Sequence, residues 1–286
     1  MAVLLLTSGV LSAQTDPTKE TVIIDLFTRT AHVRDYIRDG VRAGVIQGLT
    51  EKNRFNLVDA ATNAQLVELN SNRNTEENVT AENVLDAETT NIYKALGAKY
   101  LLKGQITSVT TVDDKDILTG NPQKKTIIAF SMTVYNILDG STVGSEICEA
   151  MGFAKTTLEA EDSACKDARD EALKFADKYF KFTTYIEQLG EVDKKKGLKD
   201  VYIIGGTEIG VEKNQQFKVY VKKQIGSRWT QQEIGKLKAV EPMDGISRCV
   251  VTKGNNEIKE IFNTSGKEAL VVVSDVQGTA FGQMFK

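Results

Sequence analysis

TVIIDLF, residues 21–27, opens the pattern that decides the fold, because this apolar run predicts a strand that leads into a helix. One face of that helix carries an apolar residue at every fourth position: Val33, Ile37, Val41, Val45 and Leu49. The helix ends at NRFNLVD, residues 53–59, and LGAKYLLKGQI follows at residues 96–106. VYNILDGSTV, residues 134–143, and a long helix containing small residues complete the pattern. This alternation predicts helices and strands packed in layers.

Three consecutive strands are predicted within this pattern, at about Tyr100–Val112, Thr126–Leu138 and Thr142–Ala154. An Asp-Gly pair between the second and third strands is a strong hairpin signal. From Ala160 to about Glu187, small and aromatic residues at helical spacing predict an amphipathic helix that packs on these strands. Residues 21–193 are therefore expected to form an α+β domain, with a layer of helices on a mostly antiparallel sheet.

A charged break at residues 194–199 predicts a flexible linker to a second domain at residues 200–286. In that second domain, short apolar runs are separated by Gly, Asn and Asp. These runs predict strands at Val201–Ile204, Gln216–Lys222, Gly235–Val240, Ser247–Thr252, Ile258–Phe262 and Ala269–Val273. Closely spaced short strands are typical of small barrels and sandwiches, so we expect a small all-β, barrel-like domain.

The order of these segments in residues 21–186 resembles the CsgG-like family of bacterial envelope proteins. That family includes curli secretion channels, LpoB-type activators of penicillin-binding proteins and TolB amino-terminal-like domains. IGVEKNQQFKVY at residues 209–220 and IGKL at residues 234–237 resemble the carboxy-terminal domain of the flagellar assembly protein FlgT. Together the two resemblances imply a CsgG-like α+β domain followed by a FlgT-like β domain. They also imply a periplasmic role in assembling a secretion or surface-appendage machine.

Residues 1–13 predict a secretory signal peptide, because a short apolar run ends at small residues before Gln14. The run is shorter than the roughly 20 residues that a membrane-spanning helix needs. A buried amino-terminal strand is the alternative interpretation. No Cys lies near the predicted cleavage point, so we expect neither a lipobox nor a lipid anchor. Residues 14–20 are then an amino-terminal tail, and the expected location is the periplasm, with association with the outer membrane left open.

Residues that carry chemistry are few and scattered. The single histidine, His32, precedes a helix and has no flanking nucleophile, so we expect a helix-entry or surface residue and no His-based metal site. Asp113, Asp114 and Asp116 offer oxygen atoms to a cation but lack the EF-hand loop, so we expect a solvated acidic turn. We therefore predict no catalytic, cofactor-binding or metal site.

The net charge and the cysteine content argue against a nucleic-acid-binding protein, a disulfide-rich protein and a zinc protein. The formal net charge is −3, and neither half of the chain has the basic excess that a nucleic-acid partner requires. Cys148, Cys165 and Cys249 fit neither a disulfide framework nor a zinc spacing. We expect buried free thiols, and a bridge between Cys148 and Cys165 is the alternative.

Four residues are candidates for contact with a protein partner: Arg34, Arg38, Arg42 and Trp229. The three arginines share one face of the first helix, where interleaved acidic residues favour a solvated face over an anion site. The tryptophan lies in the polar stretch SRWTQ, residues 227–231, between predicted strands. It is interpreted either as a binding anchor or as a cap on the end of the barrel.

The sequence thus favours a non-enzymatic envelope protein that acts as a scaffold or adaptor in assembling a secretion or curli-like appendage machine. An activator of a peptidoglycan synthase is the second hypothesis. An enzyme acting on envelope polysaccharide is the least favoured, because acid–base groups do not cluster. The connection at residues 113–125 is short and polar, unlike the membrane hairpins of curli channels, so the chain is expected to be peripheral to the membrane. Its expected partners are envelope proteins, with a homo-oligomer as an alternative.

Overall fold

The computed structural model describes residues 19–68, 87–193 and 197–275, and these form two units that are each built on one sheet. The strands of the first unit are β1 (Glu20–Ile24), β2 (Thr28–Arg29), β3 (Phe55–Asp59), β4 (Ala98–Lys115), β5 (Pro122–Asn136) and β6 (Thr142–Ala154). They are ordered β3-β1-β4-β5-β6, and β2 pairs with β4. β1 runs parallel to β3 and β4, whereas β4, β5 and β6 form an antiparallel meander. The meander confirms the three predicted strands, and the sheet as a whole is mixed.

The helices of the first unit include α1 (Asp35–Glu51), α2 (Ala87–Ala95) and α3 (Thr157–Tyr179), and residues 64–68 are also helical. α1 and α3 pack on one face of the sheet, and the five apolar residues predicted to share one face of α1 all belong to this core. A smaller cluster lies on the opposite face, where Tyr93 of α2 packs with Ile23 and Leu101. The first unit is therefore an α+β structure with helices on both faces of part of its sheet.

α1 and α3 approach each other along a row of glycines on α1. A Cβ atom at Gly44 would lie 2.5 Å from the backbone oxygen of Cys165, and one at Gly48 would lie 2.5 Å from the backbone oxygen of Arg169. At Gly40 the nearest atom is the Cys165 Sγ, at 2.9 Å. Real Cβ atoms essentially never come within 3.0 Å of such neighbours, so the missing side chains set the distance between the helices.

The second unit is a seven-stranded antiparallel sheet. Its first two strands are β7 (Thr183–Thr184) and β8 (Ile186–Leu189). A separate two-stranded pair follows in the chain, formed by β9 (Val192–Asp193) and β10 (Gly197–Leu198). The remaining strands of the large sheet are β11 (Asp200–Ile204), β12 (Gln216–Ile225), β13 (Arg228–Pro242), β14 (Ile246–Lys253) and β15 (Leu270–Asp275). The order is β7-β15-β12-β13-β14-β11-β8. β7 and β8 are consecutive in the chain but lie at opposite ends of this order, so the sheet nearly closes on itself. This agrees with the predicted barrel-like architecture.

The structure moves the predicted boundary between the two units. α3 ends at Tyr179 instead of about Glu187, because the aromatic residues that follow leave the helix. Phe180 joins the first core, whereas Phe182 packs on Phe217 of the second core, with ring centroids 5.7 Å apart. β7 and β8 pair with the second sheet, so the second unit begins before the linker predicted at residues 194–199.

One predicted strand is wrong. Residues 258–262 lie in a helix, α4 (Asn255–Ser265), bounded by Gly254 and Gly266, whose φ angles are 82° and 78°. Ile258, Ile261 and Phe262 recur at helical spacing and pack on the second core, which explains the helix. The second unit is therefore not all-β. The predicted signal peptide at residues 1–13 and most of the 14–20 tail lie outside the described residues.

A buried charge cluster joins the two units. Asp177, near the end of α3, accepts hydrogen bonds from Lys52 Nζ at 3.0 Å and from Arg54 Nη1 at 3.2 Å. Lys52 Nζ also lies 3.2 Å from an oxygen of Glu212, and Arg54 Nη2 donates to the Gly210 carbonyl at 3.4 Å. Burial lowers the pKa of Arg54, and the charge of Asp177 opposes that effect. We call Lys52, Arg54, Asp177 and Glu212 the joint cluster.

Candidate functional site

The three arginines predicted as one solvated face have different environments. Arg42 is buried, so that part of the prediction is wrong. Its guanidinium donates to the carbonyls of Asp25 at 2.9 Å and Ile24 at 3.1 Å and pairs with Asp59. Arg34 keeps an exposed side chain and Arg38 a half-buried one, with 56% and 32% of their area accessible. They remain candidates for contact with a partner.

Arg34 belongs to a clamp between α1 and α3. Glu161 of α3 is only 2% exposed and accepts hydrogen bonds from Arg34 and from the Tyr36 hydroxyl. Burial and this bond to a carboxylate raise the pKa of Tyr36 to about 12. The clamp anchors the beginning of α1, which indicates a structural role for this carboxylate.

Arg38 lies in a cavity of about 940 Å³ between α1 and the carboxyl ends of β1 and β3. The lining residues are Leu26, Phe27, Thr28, Arg29, Arg38, Asp39, Arg42, Ala43, Ile46, Gln47, Asp59 and Ala61. Three guanidinium groups therefore face a cavity whose floor is partly apolar. Volumes of 300–1,000 Å³ are typical of small-molecule sites, so this cavity is a candidate binding site.

A single carboxylate at the rim holds two of these guanidinium groups. Asp35 Oδ1 lies 2.8 Å from Arg29 Nε and 3.0 Å from Arg38 Nη1. The hydrogen bond from Arg29 and the charges of both arginines lower the pKa of Asp35. Arg38 also forms a two-point contact with Asp39, at 2.8 and 3.2 Å. Arg29 was not predicted as a site residue, because it lies in β2 and not in the helix whose periodicity singled out the other arginines.

The second candidate surface is the face of the β4–β5–β6 meander that points away from α1 and α3. We call it the open face and define it by its apolar residues: Val112, Ile127, Ile147, Met151 and Phe153. Residues that alternate with them, such as Phe130 and Cys148, belong to the helix-covered core, so these five point the other way. Ile127 pairs with Met151, while Val112 and Phe153 flank Lys125 on both sides. Ile127, Met151, Val112 and Phe153 are therefore neighbours, whereas Ile147 pairs with Ser131 and is separated from Met151 along β6 by Glu149.

Large apolar side chains are exposed on this face and at the hairpin tip beside it. The accessible fractions are 78% for Ile147, 43% for Met151 and 48% for Phe153. In the turn between β4 and β5, Ile117 and Leu118 are 99% and 94% exposed. A solvated face of an antiparallel sheet is usually polar, and exposed apolar patches mark interaction sites.

Side chains of α3 occupy part of the free edge of β6. The Met151 backbone N–H donates to Asp167 at 2.8 Å, and the Tyr179 hydroxyl donates to the Ser145 carbonyl at 3.1 Å. Such contacts block the addition of another strand. The face of the meander, more than its edge, is therefore available for contact.

The acidic turn predicted at residues 113–116 is built into the hairpin. Asp113 pairs with Lys124 at 2.5 Å, and Asp114 accepts from Gln123 at 3.1 Å. Asp116 accepts from two backbone N–H groups of the turn, at 2.8 Å each, and these bonds lower its pKa. In the described part of the chain, no group of three His, Cys, Asp or Glu residues is placed to hold a metal ion.

Two further sequence predictions concern single residues. His32 is exposed in the turn before α1, as predicted. Trp229 lies within β13, where its backbone pairs with Gln224, so its placement between strands was wrong. Its role as a contact residue stays a prediction.

The three cysteines are free and buried, which confirms the expectation of buried thiols over a bridge between Cys148 and Cys165. Burial raises the pKa of the thiols to about 12 for Cys148, about 11 for Cys165 and about 12 for Cys249. They are therefore unreactive structural residues at neutral pH. Among the described helices, none is both long and apolar enough to cross a membrane.

Comparison with known proteins gives no family assignment. No protein-family model matches the chain, and no curated protein matches it. Among solved structures, the chain is similar to lipoprotein GNA1162 from Neisseria meningitidis, with 13% identity, a TM-score of 0.33 and coverage of 48% of this chain and 86% of that one. The PelC dodecamer from Paraburkholderia phytofirmans has 10% identity and a TM-score of 0.34, with coverage of 57% of this chain and 92% of that one. The LpoB C-terminal domain from Escherichia coli has 13% identity and a TM-score of 0.29, with coverage of 49% of this chain and 87% of that one. Such low identities and TM-scores support no conclusion about this chain.

Proposed function

We propose that this chain is an exported, non-enzymatic cell-envelope protein that works through contacts with other envelope proteins. The observation that carries the proposal is the open face, with the exposed hairpin tip beside it. Export and the envelope location rest on the predicted signal peptide and on the sequence resemblance to the CsgG-like family.

Burial of the open face is energetically favourable. Removing apolar surface from water contributes about 25 cal/mol per Å², and a fully buried Phe or Ile side chain contributes roughly 1.5–3 kcal/mol. Phe153 is the best candidate for a central anchor, because aromatic residues are enriched among the residues that dominate binding energy. The neighbouring Lys125 lies over its ring, with Nζ 5.7 Å from the ring centroid, and places a cationic group within the patch.

The sequence resemblance gives this proposal two specific forms. In the first, the chain is a scaffold or adaptor in a secretion or curli-like appendage machine. In the second, it activates a peptidoglycan synthase, as LpoB-type proteins do. The scaffold and the activator would both use a contact of moderate size with one partner, so only the identity of that partner distinguishes the two functions.

The test is in-cell crosslinking of a tagged, natively expressed chain, followed by mass spectrometry of the retained proteins. Repeated recovery of secretion or appendage components supports the scaffold, and dominant recovery of a peptidoglycan synthase supports the activator. Recovery of cytoplasmic proteins alone would contradict the envelope location. As a matched control, Phe153→Glu should reduce recovery more than Lys166→Glu, since Lys166 is also exposed but lies on α3.

A further inference from the structure

The cavity beside α1 lies where the topology of the sheet favours a ligand. β1 and β3 are parallel neighbours, and both end at this cavity. The chain leaves β1 towards α1 on one face of the sheet. It leaves β3 towards the other face, where Ala60 and Leu66 pack with Ile23. Ligands of open sheets bind in the crevice outside the carboxyl ends of two strands whose connections diverge in this way.

The guanidinium groups of the cavity differ in how strongly they are held. Arg42 is fixed by two backbone carbonyls and by Asp59. These contacts use its Nε and Nη2 nitrogens, and within the described residues its Nη1 has no hydrogen-bond partner. Arg29 is held at the rim by Asp35, and Arg38 is held by both Asp35 and Asp39, whose side chains are 61% and 64% exposed. The cavity thus combines one rigid guanidinium with two that exposed carboxylates hold in position.

Asp35 shows which chemical group these arginines accept. One carboxylate oxygen is shared by Arg29 and Arg38, and each guanidinium has five N–H donors, of which these contacts use only some. The acidic lining residues are already paired, Asp39 with Arg38 and Asp59 with Arg42. A carboxylate that enters the cavity therefore meets unused donors, and planar guanidinium groups match carboxylates well.

The rest of the lining decides what the carboxylate is attached to. Leu26 and Ile46 provide apolar surface beside the guanidinium groups, and Leu26 is 40% exposed. We propose that this cavity binds a ligand that carries a carboxylate next to an apolar group. The carboxyl end of an apolar peptide and a free branched-chain acid both have this chemistry.

Binding to the full chain is measured by isothermal titration calorimetry with three probes. They are N-acetyl-Ala-Ala-Leu as the free acid, the same tripeptide as its amide, and 4-methylpentanoate. We expect the free acid to bind at least about tenfold more tightly than the amide, because hydrogen bonds between charged groups are the stronger ones. Tighter binding of the tripeptide acid than of 4-methylpentanoate identifies a peptide end, and equal binding identifies a small acid. Equal binding of acid and amide, or no binding of any probe, overturns the proposal.

Variants test the site itself. Arg38→Gln should weaken binding of the free acid about tenfold, because it removes a charged donor. Asp35→Asn should strengthen binding severalfold, since it removes the carboxylate that competes for Arg29 and Arg38. Arg169→Gln is the matched control, because Arg169 is also exposed and paired with a carboxylate, that of Glu51, but lies outside the cavity. Thermal melting confirms that each variant is folded. If Asp35→Asn and Arg169→Gln have the same effect on binding, the proposal is wrong.

Discussion

Asp177→Asn is expected to destabilise the protein strongly through the joint cluster. In the structure Asp177 is 8% exposed and lies 3.0 Å from Lys52 and 3.2 Å from Arg54, which are 4% and 7% exposed. The substitution leaves two buried cations with Glu212 as the only remaining carboxylate of the cluster. Removing one partner of a buried ion pair costs about 3–5 kcal/mol, because an uncompensated buried charge remains.

Urea unfolding followed by circular dichroism measures this loss. With a denaturant slope of about 1–3 kcal/mol/M, the expected shift of the midpoint is at least about 1 M. Glu212→Gln is the control, because the Glu212 side chain is 45% exposed and Lys52 keeps its contact with Asp177, so we expect a loss of about 1 kcal/mol or less. Adding Lys52→Met to Asp177→Asn should recover part of the loss, since it removes one of the unpaired charges. A loss below about 1 kcal/mol for Asp177→Asn would show that this carboxylate does not compensate the buried charges of Lys52 and Arg54.

Three further predictions concern the first unit and the thiols. Gly44→Ala should lower the free energy of unfolding by about 1–3 kcal/mol despite the better helix propensity of Ala, because its Cβ meets a backbone oxygen at 2.5 Å. Gly40→Ala, which meets only a side-chain sulfur, should cost less in the same urea titration. Thr156→Ala removes the capping box of α3 and should cost about 1 kcal/mol, again by urea unfolding, and no measurable loss would contradict the assigned cap. The raised thiol pKa values leave little thiolate at pH 8, so iodoacetamide should label the three cysteines in urea and not in the native protein. Rapid native labelling, detected by mass spectrometry, would contradict their burial.

Local patterns in the sequence were sufficient for the elements whose burial repeats regularly. The apolar residues at every fourth position of α1 all lie in the core, and the meander strands appear where alternation and the Asp-Gly turn predicted them. These elements are long, and one face of each is covered by a neighbour. Their periodicity is therefore the direct result of their packing.

Short or doubly packed segments could not be assigned in the same way. Residues 258–262 have an apolar composition that fits a strand, and their helical spacing is visible only over the full length of α4. Phe180 and Phe182 continue the apolar pattern of α3 but are buried in different cores. A pattern in one segment cannot show which core a residue enters, so the boundary between the units was placed too late.

The two candidate surfaces differ in how visible they are in the sequence. Ile147, Met151 and Phe153 alternate with Cys148 and Ala150, so the sequence of β6 itself indicates apolar residues on both faces of the strand. The cavity could not be predicted from the sequence, because its lining combines the segment after β1, part of α1 and the end of β3. Only the tertiary fold brings Arg29 to Arg38 and Arg42, which both lie on α1.

We expect the open face to be the surface by which this chain contacts other envelope proteins. In-cell photocrosslinking with p-benzoylphenylalanine placed at position 147 or at position 166 tests this directly. Both residues are largely exposed, Ile147 on the open face and Lys166 on α3. We expect a discrete crosslinked product with an envelope protein at position 147 and little at position 166. Equal crosslinking at both positions, or a product at position 166 alone, would rule out the open face as the contact surface.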